Sequence, residues 1–209
     1  MNVSRMYSSA GLAACAAAAV MAVAACSSDK PASSPSTSSH GAPAMTAAES
    51  PPATADSGCP TQAPAEEGNP EWSFSGATGS VGVTGSTDKA APRITVTQPF
   101  SVTETEVHTL RAGDGPVVAP TATVLVCYMG VDGRDGKVFD SAYERGTPAQ
   151  FPLDGVVPGF QKAIAGQKVG STVAVAMSPG DGYPEGQPQV GIQKGDSLIF
   201  AIKILTAGS

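Results

Sequence analysis

Few side chains in this sequence are equipped for nucleophilic, acid-base or metal chemistry. Histidine occurs only at His40 and His108, and His40 falls in a Ser/Thr/Pro-rich stretch. A Ser-His-Asp relay or a histidine-rich metal site therefore lacks its parts, and no glycine loop is followed by a helix in the way that cradles phosphate. No metal or other cofactor is expected. The remaining residues of interest are the aromatics Tyr128, Phe139, Phe160, Tyr183 and Phe200, with Asp140 five positions ahead of Arg145. Taken singly, the phenylalanines are core residues of a small domain, Asp140 and Arg145 a turn residue and its surface partner, and Tyr183 a loop anchor.

The cysteines divide by position. Cys15 lies inside an apolar run from Gly11 to Ala25 that follows a short segment with one basic residue, Arg5, and no acid. That is the layout of a secretory signal, too short to span a bilayer comfortably as a permanent helix. Val23-Ala24-Ala25-Cys26 resembles the lipobox of bacterial lipoproteins, in which the cysteine is lipidated and becomes the new N-terminus. The alternative is an ordinary signal that happens to contain a cysteine. With Cys15 removed and Cys26 acylated, Cys59 and Cys127 remain. In an exported protein they either form a disulfide or stay as a buried thiol in a strand and a loose residue in a flexible arm.

The elements that must position the aromatics lie in the second half. Thr121 to Met129 is β-branched and apolar and predicts a strand with Val124, Val126 and Tyr128 on one face. A glycine- and aspartate-rich turn leads to a short strand around Lys137 to Asp140. Ser171 to Met177 and Ser197 to Leu205 alternate as half-buried strands. One helix is predicted near Phe160, with Pro158 at its first position, Phe160, Ala163 and Ile164 on one face, and Gly166 closing it. The fold class is α+β, an antiparallel sheet of five or six strands around one short helix. Upstream, residues 1–25 are the signal and 26–68 a disordered tether too poor in large apolar residues to offset its ordering entropy. Residues 69–104, with Trp72, Phe74 and Gly76, Gly79, Gly82 and Gly85 at three-residue intervals, form an extension of unknown role with a few short strands. The domain proper is 105–209, and a fragment from about Ala91 onward is expected to fold alone. The net charge of -6 comes from scattered acids, so no basic stripe invites nucleic acid.

An ordered series of motifs then carries a resemblance. Val126-Cys127-Tyr128-Met129-Gly130, the run Asp135 to Gly146, Val156-Val157-Pro158-Gly159-Phe160, Lys168-Val169-Gly170, Ser178-Pro179 before Tyr183, and Leu198-Ile199-Phe200 resemble the consecutive signatures of the FKBP family over roughly Leu110 to Leu205. The resemblance implies a ligand pocket between sheet and helix. Tyr128, Phe139 and Phe200 would form its walls, Phe160 its floor, and Val156 and Val157 its rim. Asp140 would be the pocket-edge carboxylate oriented by Arg145, Tyr183 and the Val157 amide donors to bound carbonyls, and Ile192 a contact from the loop before the last strand. Two departures imply a wider pocket and lower activity: Ala149 stands where a wall aromatic is frequent, and the loop 184–194 lacks the family's Ile-Pro-Pro run.

The implied activity is peptidyl-prolyl cis-trans isomerisation, with proline-containing exported polypeptides as partners, macrolides as inhibitors, and attachment by the lipid to the external face of a bacterial membrane. The competing expectation is a catalytically weak binding or chaperone module that holds proline-containing partners.

Overall fold

The computed structural model describes residues 58–64 and 68–208. The signal, Cys26 and most of the tether lie outside the described residues.

The β-branched run read as a strand extends further than expected and forms β5 (Thr123–Asp132), the spine of the main sheet. Along one side it pairs antiparallel with β9 (Leu198–Gly208). Along the other it pairs in halves, with β6 (Val138–Ser141) and with β7 (Ala149–Pro152). A single helical turn, α1 (Ala142–Arg145), carries the chain from β6 toward β7; Ser141 caps its start and Gly146, at φ 66°, its end. β8 (Thr172–Met177) and β4 (Glu106–Arg111) complete the sheet in the order β4-β8-β9-β5-β6. The result is the six-stranded α+β architecture anticipated from the alternation.

Helix α2 (Pro158–Ile164) covers the inner face. Proline suits its first turn because the missing N–H would have no partner there. Its buried residues Phe160, Ala163 and Ile164 meet Val124, Val126, Val173, Val175, Met177, Ile202 and Ile204. Burying each such large aliphatic side chain contributes about 1.5–3 kcal/mol. A side chain at Gly159 would place its Cβ 2.5 Å from Met177 Cγ, so glycine there sets how closely helix and sheet approach.

Every residue of β8 is buried, which one helix-covered face cannot explain. The extension supplies the second cover. β1 (Trp72–Ser75), β2 (Thr78–Thr84) and β3 (Arg93–Ser101) form an antiparallel sheet in that order. Val81, Val83, Phe100 and Val102 pack with the outward-facing Ala174, Ala176, Ile199 and Ala201 of the main sheet. Small residues on β8 let the two sheets come close. Gly79 is held at φ 61° with space for no Cβ, since one would lie 2.1 Å from the Thr97 carbonyl oxygen. Residues 69–104 are thus the outer half of a sandwich. The expected boundary at Ala91 separates β3 from its partner β2 and uncovers Ile199, so it does not delimit a self-contained unit.

Gly58–Pro64, read as part of the disordered tether 26–68, also lie on this outer side and are held in place there. Cys59 is disulfide-bonded to Cys127, with Cα atoms 5.6 Å apart and both residues buried. Backbone bonds from Cys59 N–H to Gly146 (3.3 Å) and from Ala91 N–H to Gln62 (2.9 Å) fasten the segment further.

Candidate functional site

Alternation along β5 turns Tyr128 inward while Cys127 faces the outer side. Around Tyr128 stand Phe160 from α2, Phe200 from β9, Phe139 from β6 and Phe151 from β7. The rings meet edge-on or tilted: Phe160 lies 5.5 Å from Phe200, 5.8 Å from Phe151 and 5.9 Å from Tyr128, and Phe139 lies 5.5 Å from Phe200. These separations suit the ring quadrupoles, which favour edge-to-face contact over sandwich stacking. They enclose a cavity of about 360 Å³ lined also by Asp140, Gly155, Val156, Val157 and Tyr183. At Gly130 a Cβ would sit 2.6 Å from Phe139 and 2.8 Å from Phe200, so the absent side chain leaves room for two wall rings.

One polar edge borders this box. The Tyr128 hydroxyl donates to Asp140 and accepts from Arg145 Nη2 at 3.1 Å, while Arg145 Nη1 donates to the other Asp140 oxygen. The guanidinium also stands 5.7 Å from the centre of the Tyr128 ring. Burial, followed by the bond to Asp140, pushes the Tyr128 phenol up to about 12. Tyr128 is therefore a neutral wall whose hydroxyl is already engaged. The Tyr183 hydroxyl has no hydrogen-bond partner among the described residues, and neither does the Val157 amide at the mouth of α2, leaving both as donors facing the cavity.

Of the residues anticipated here, Tyr128, Phe139, Asp140, Val156, Val157, Phe160, Tyr183 and Phe200 line the cavity together. Arg145 stands just behind, exposed, as the partner of Asp140. Ile192 does not line it: at 1 % exposure it is packed in the core with Leu198 and Phe200, because its loop folds inward there. Phe151 was not anticipated. Attention to Ala149 missed that β7 alternates, so that Phe151, two residues on, presents its ring on the same face. The wall is therefore aromatic at that place, and the inference of a wider pocket from Ala149 does not hold. Among the described residues no group of three or more His, Cys, Asp or Glu is placed to hold a metal ion.

The sequence profile described as FKBP-type peptidyl-prolyl cis-trans isomerase matches residues 115–205. A probable FK506-binding protein of Corynebacterium glutamicum is 38% identical over 96 residues, covering 46% of this chain and 80% of that protein. The chain belongs to the FKBP-type peptidyl-prolyl cis-trans isomerase family. A probable FKBP-type isomerase of Haemophilus influenzae is 37% identical over 94 residues, but the match spans only 39% of its length. The solved structure of FkpA from Escherichia coli is similar with a TM-score of 0.43 and 35% identity, over 49% of this chain and 46% of that one. The FKBP-type match begins after β4, so the sheet β1-β2-β3 and the Cys59 segment lie outside it.

Proposed function

We propose that this chain catalyses cis-trans isomerisation of X-Pro bonds in polypeptides outside the cytoplasm, from an anchor at Cys26. The observation that carries the catalytic reading is the cavity itself: five aromatic rings around an apolar space, with hydrogen-bond donors at the rim and the lining carboxylate, Asp140, already engaged by Tyr128 and Arg145. An X-Pro amide is held planar by resonance, with a barrier of roughly 18–20 kcal/mol. A catalyst needs only to favour the twisted amide over both planar forms. The dry aromatic walls disfavour the charge-separated planar amide, and Phe160 offers a flat surface for the pyrrolidine ring. Tyr183 and the Val157 amide hold flanking carbonyls, while the Tyr128-Asp140-Arg145 network fixes the wall.

Export is supported by the apolar run before Cys26 and by the disulfide, since such bonds persist outside the reducing cytoplasm. Slow proline steps limit folding there as elsewhere, which gives the activity its use. The test is isomerisation of a short X-Pro peptide by the purified chain, with and without a macrolide inhibitor; no acceleration over the uncatalysed rate would overturn the catalytic reading. Membrane retention after a salt wash, compared between the parent and Cys26→Ala, tests the anchor, and equal retention would refute it.

A further inference from the structure

A second polar cluster lies outside the pocket. Asp132 ends β5, Arg134 sits in the turn to β6, and Asp196 precedes β9; Asp132 and Asp196 are both buried, at 3 % and 8 % exposure. The Arg134 guanidinium reaches Asp196 at 3.2 Å, Asp135 at 3.3 Å and Asp132 at 3.4 Å. Its Nη2 also donates to the Gly191 carbonyl at 3.1 Å. Asp196 in turn accepts from the Gln193 amide at 2.7 Å. Burying two carboxylates is costly unless a fixed cation and hydrogen bonds compensate, so this arrangement is expensive wherever it serves no purpose.

Its contacts converge on one loop. That loop leaves the pocket at Tyr183, whose carbonyl accepts from Gly186 N–H at 2.9 Å. Gln187 and Ile192 then pair across it, with bonds of 2.8 and 3.2 Å. Ile192 is driven into the core, while Val190 at the tip is left 42 % exposed. Both anchors of the returning limb, the Gly191 carbonyl and the Gln193 amide, lead to Arg134 directly or through Asp196. A planar fork can satisfy these partners at once; an ammonium cannot.

We propose that Arg134 is a positioning residue that holds loop 184–193, which leaves the pocket lining at Tyr183, and that the exposed Val190 at the loop's tip receives an apolar side chain flanking the substrate proline. It thereby sets peptide affinity and sequence preference without taking part in the turning of the amide. This rests on the isomerase reading above.

The experiment compares the full chain with Arg134→Ala and Arg134→Lys, using one X-Pro peptide with an apolar flanking residue and one with a polar residue there. For Arg134→Ala, KM for the apolar peptide is expected to rise five- to tenfold with kcat within twofold, and the preference over the polar peptide to shrink. The amides of Gln187, Ile192 and Gln193 are expected to exchange hydrogen faster while those of β5 and β9 do not. Arg134→Lys, keeping charge without the fork, should fall between. Unchanged KM and loop exchange would overturn the proposal, as would faster exchange throughout β5 and β9 or a fall in kcat at constant KM. A parent that binds proline peptides without accelerating them would defeat the isomerase reading alone, and peptide affinity and loop exchange would still decide the role of Arg134.

Discussion

Cys59 and Cys127 join a segment far upstream of the catalytic half to the central strand of its sheet, on the face opposite Tyr128. The bridge spans 68 residues, so in the chain-entropy model it stabilises the fold by about 4 kcal/mol. Reducing it, or replacing both cysteines by alanine, is expected to lower the denaturant midpoint clearly while leaving kcat/KM of the remaining folded protein within about twofold. Denaturation and peptide assays in parallel, with and without reductant, check this. An unchanged midpoint, or activity lost well before unfolding, would contradict it.

Phe160→Ala is expected to cost more activity than Tyr183→Phe. The first removes the floor against which the proline ring lies; the second removes one orienting hydrogen bond of order 0.5–1.5 kcal/mol, or about two- to tenfold in kcat/KM. Thermal unfolding of each variant must accompany the assay, since Phe160 is also core. A Tyr183→Phe enzyme more crippled than Phe160→Ala would point to a mechanism led by a polar group.

The catalytic step should be nearly independent of pH from 7 to 9. The Tyr128 hydroxyl, built into the wall, is held at about 12 and stays protonated throughout that window. A kcat/KM profile with a clear inflection between pH 7 and 9 would count against catalysis by shape and desolvation.

Stability, in contrast, should depend on pH through Asp132. Burial, reinforced by its bond to Asp196, pushes this carboxyl up to about 6, above its unfolded value near 4. Between those values the folded state binds more protons than the unfolded one, so this contribution grows as pH falls from about 7 toward 4 and is lost as pH rises through 6. Asp132→Asn should abolish that dependence. Urea midpoints of parent and variant at pH 5 and pH 7 measure it, and parallel changes in the two proteins would remove Asp132 as the cause.

Removing residues 1–104 is expected to leave a protein that aggregates or melts well below the parent, because Ala174, Ala176, Ile199 and Ala201 lose their apolar cover. The single tryptophan, Trp72, stacks on His108 of β4 with ring centres 5.6 Å apart, so its fluorescence reports whether the small sheet is docked. A truncated chain as stable as the parent would show that the second core contributes little.

The main sheet and α2 were legible because their signals are local: β5, β8 and β9 are largely apolar and β-branched runs, and Pro158 and Gly166 bracket the helix. The pocket was legible through an ordered series of motifs. Phe151 was missed although β7 carries an alternating signal, because β7 has only four residues. The role of residues 69–104 was hidden for a different reason. Trp72, Phe74, Val81, Val83, Ile94 and Val96 do alternate with Ser, Gly and Thr, but nothing local says which surface they cover. The complementary hint lay a hundred residues away, in the apolar but small Ala174 and Ala176. The Arg134 cluster joins residues 62 apart in sequence through hydrogen-bond geometry, which no spacing rule anticipates.

An enzyme that turns X-Pro bonds carries many in its own chain, and those upstream would compete with clients if they reached the pocket. The Cys59-Pro60 bond cannot: the disulfide pins it behind β5, on the reverse of the wall that Tyr128 forms. The strap therefore keeps this X-Pro bond out of the enzyme's own pocket.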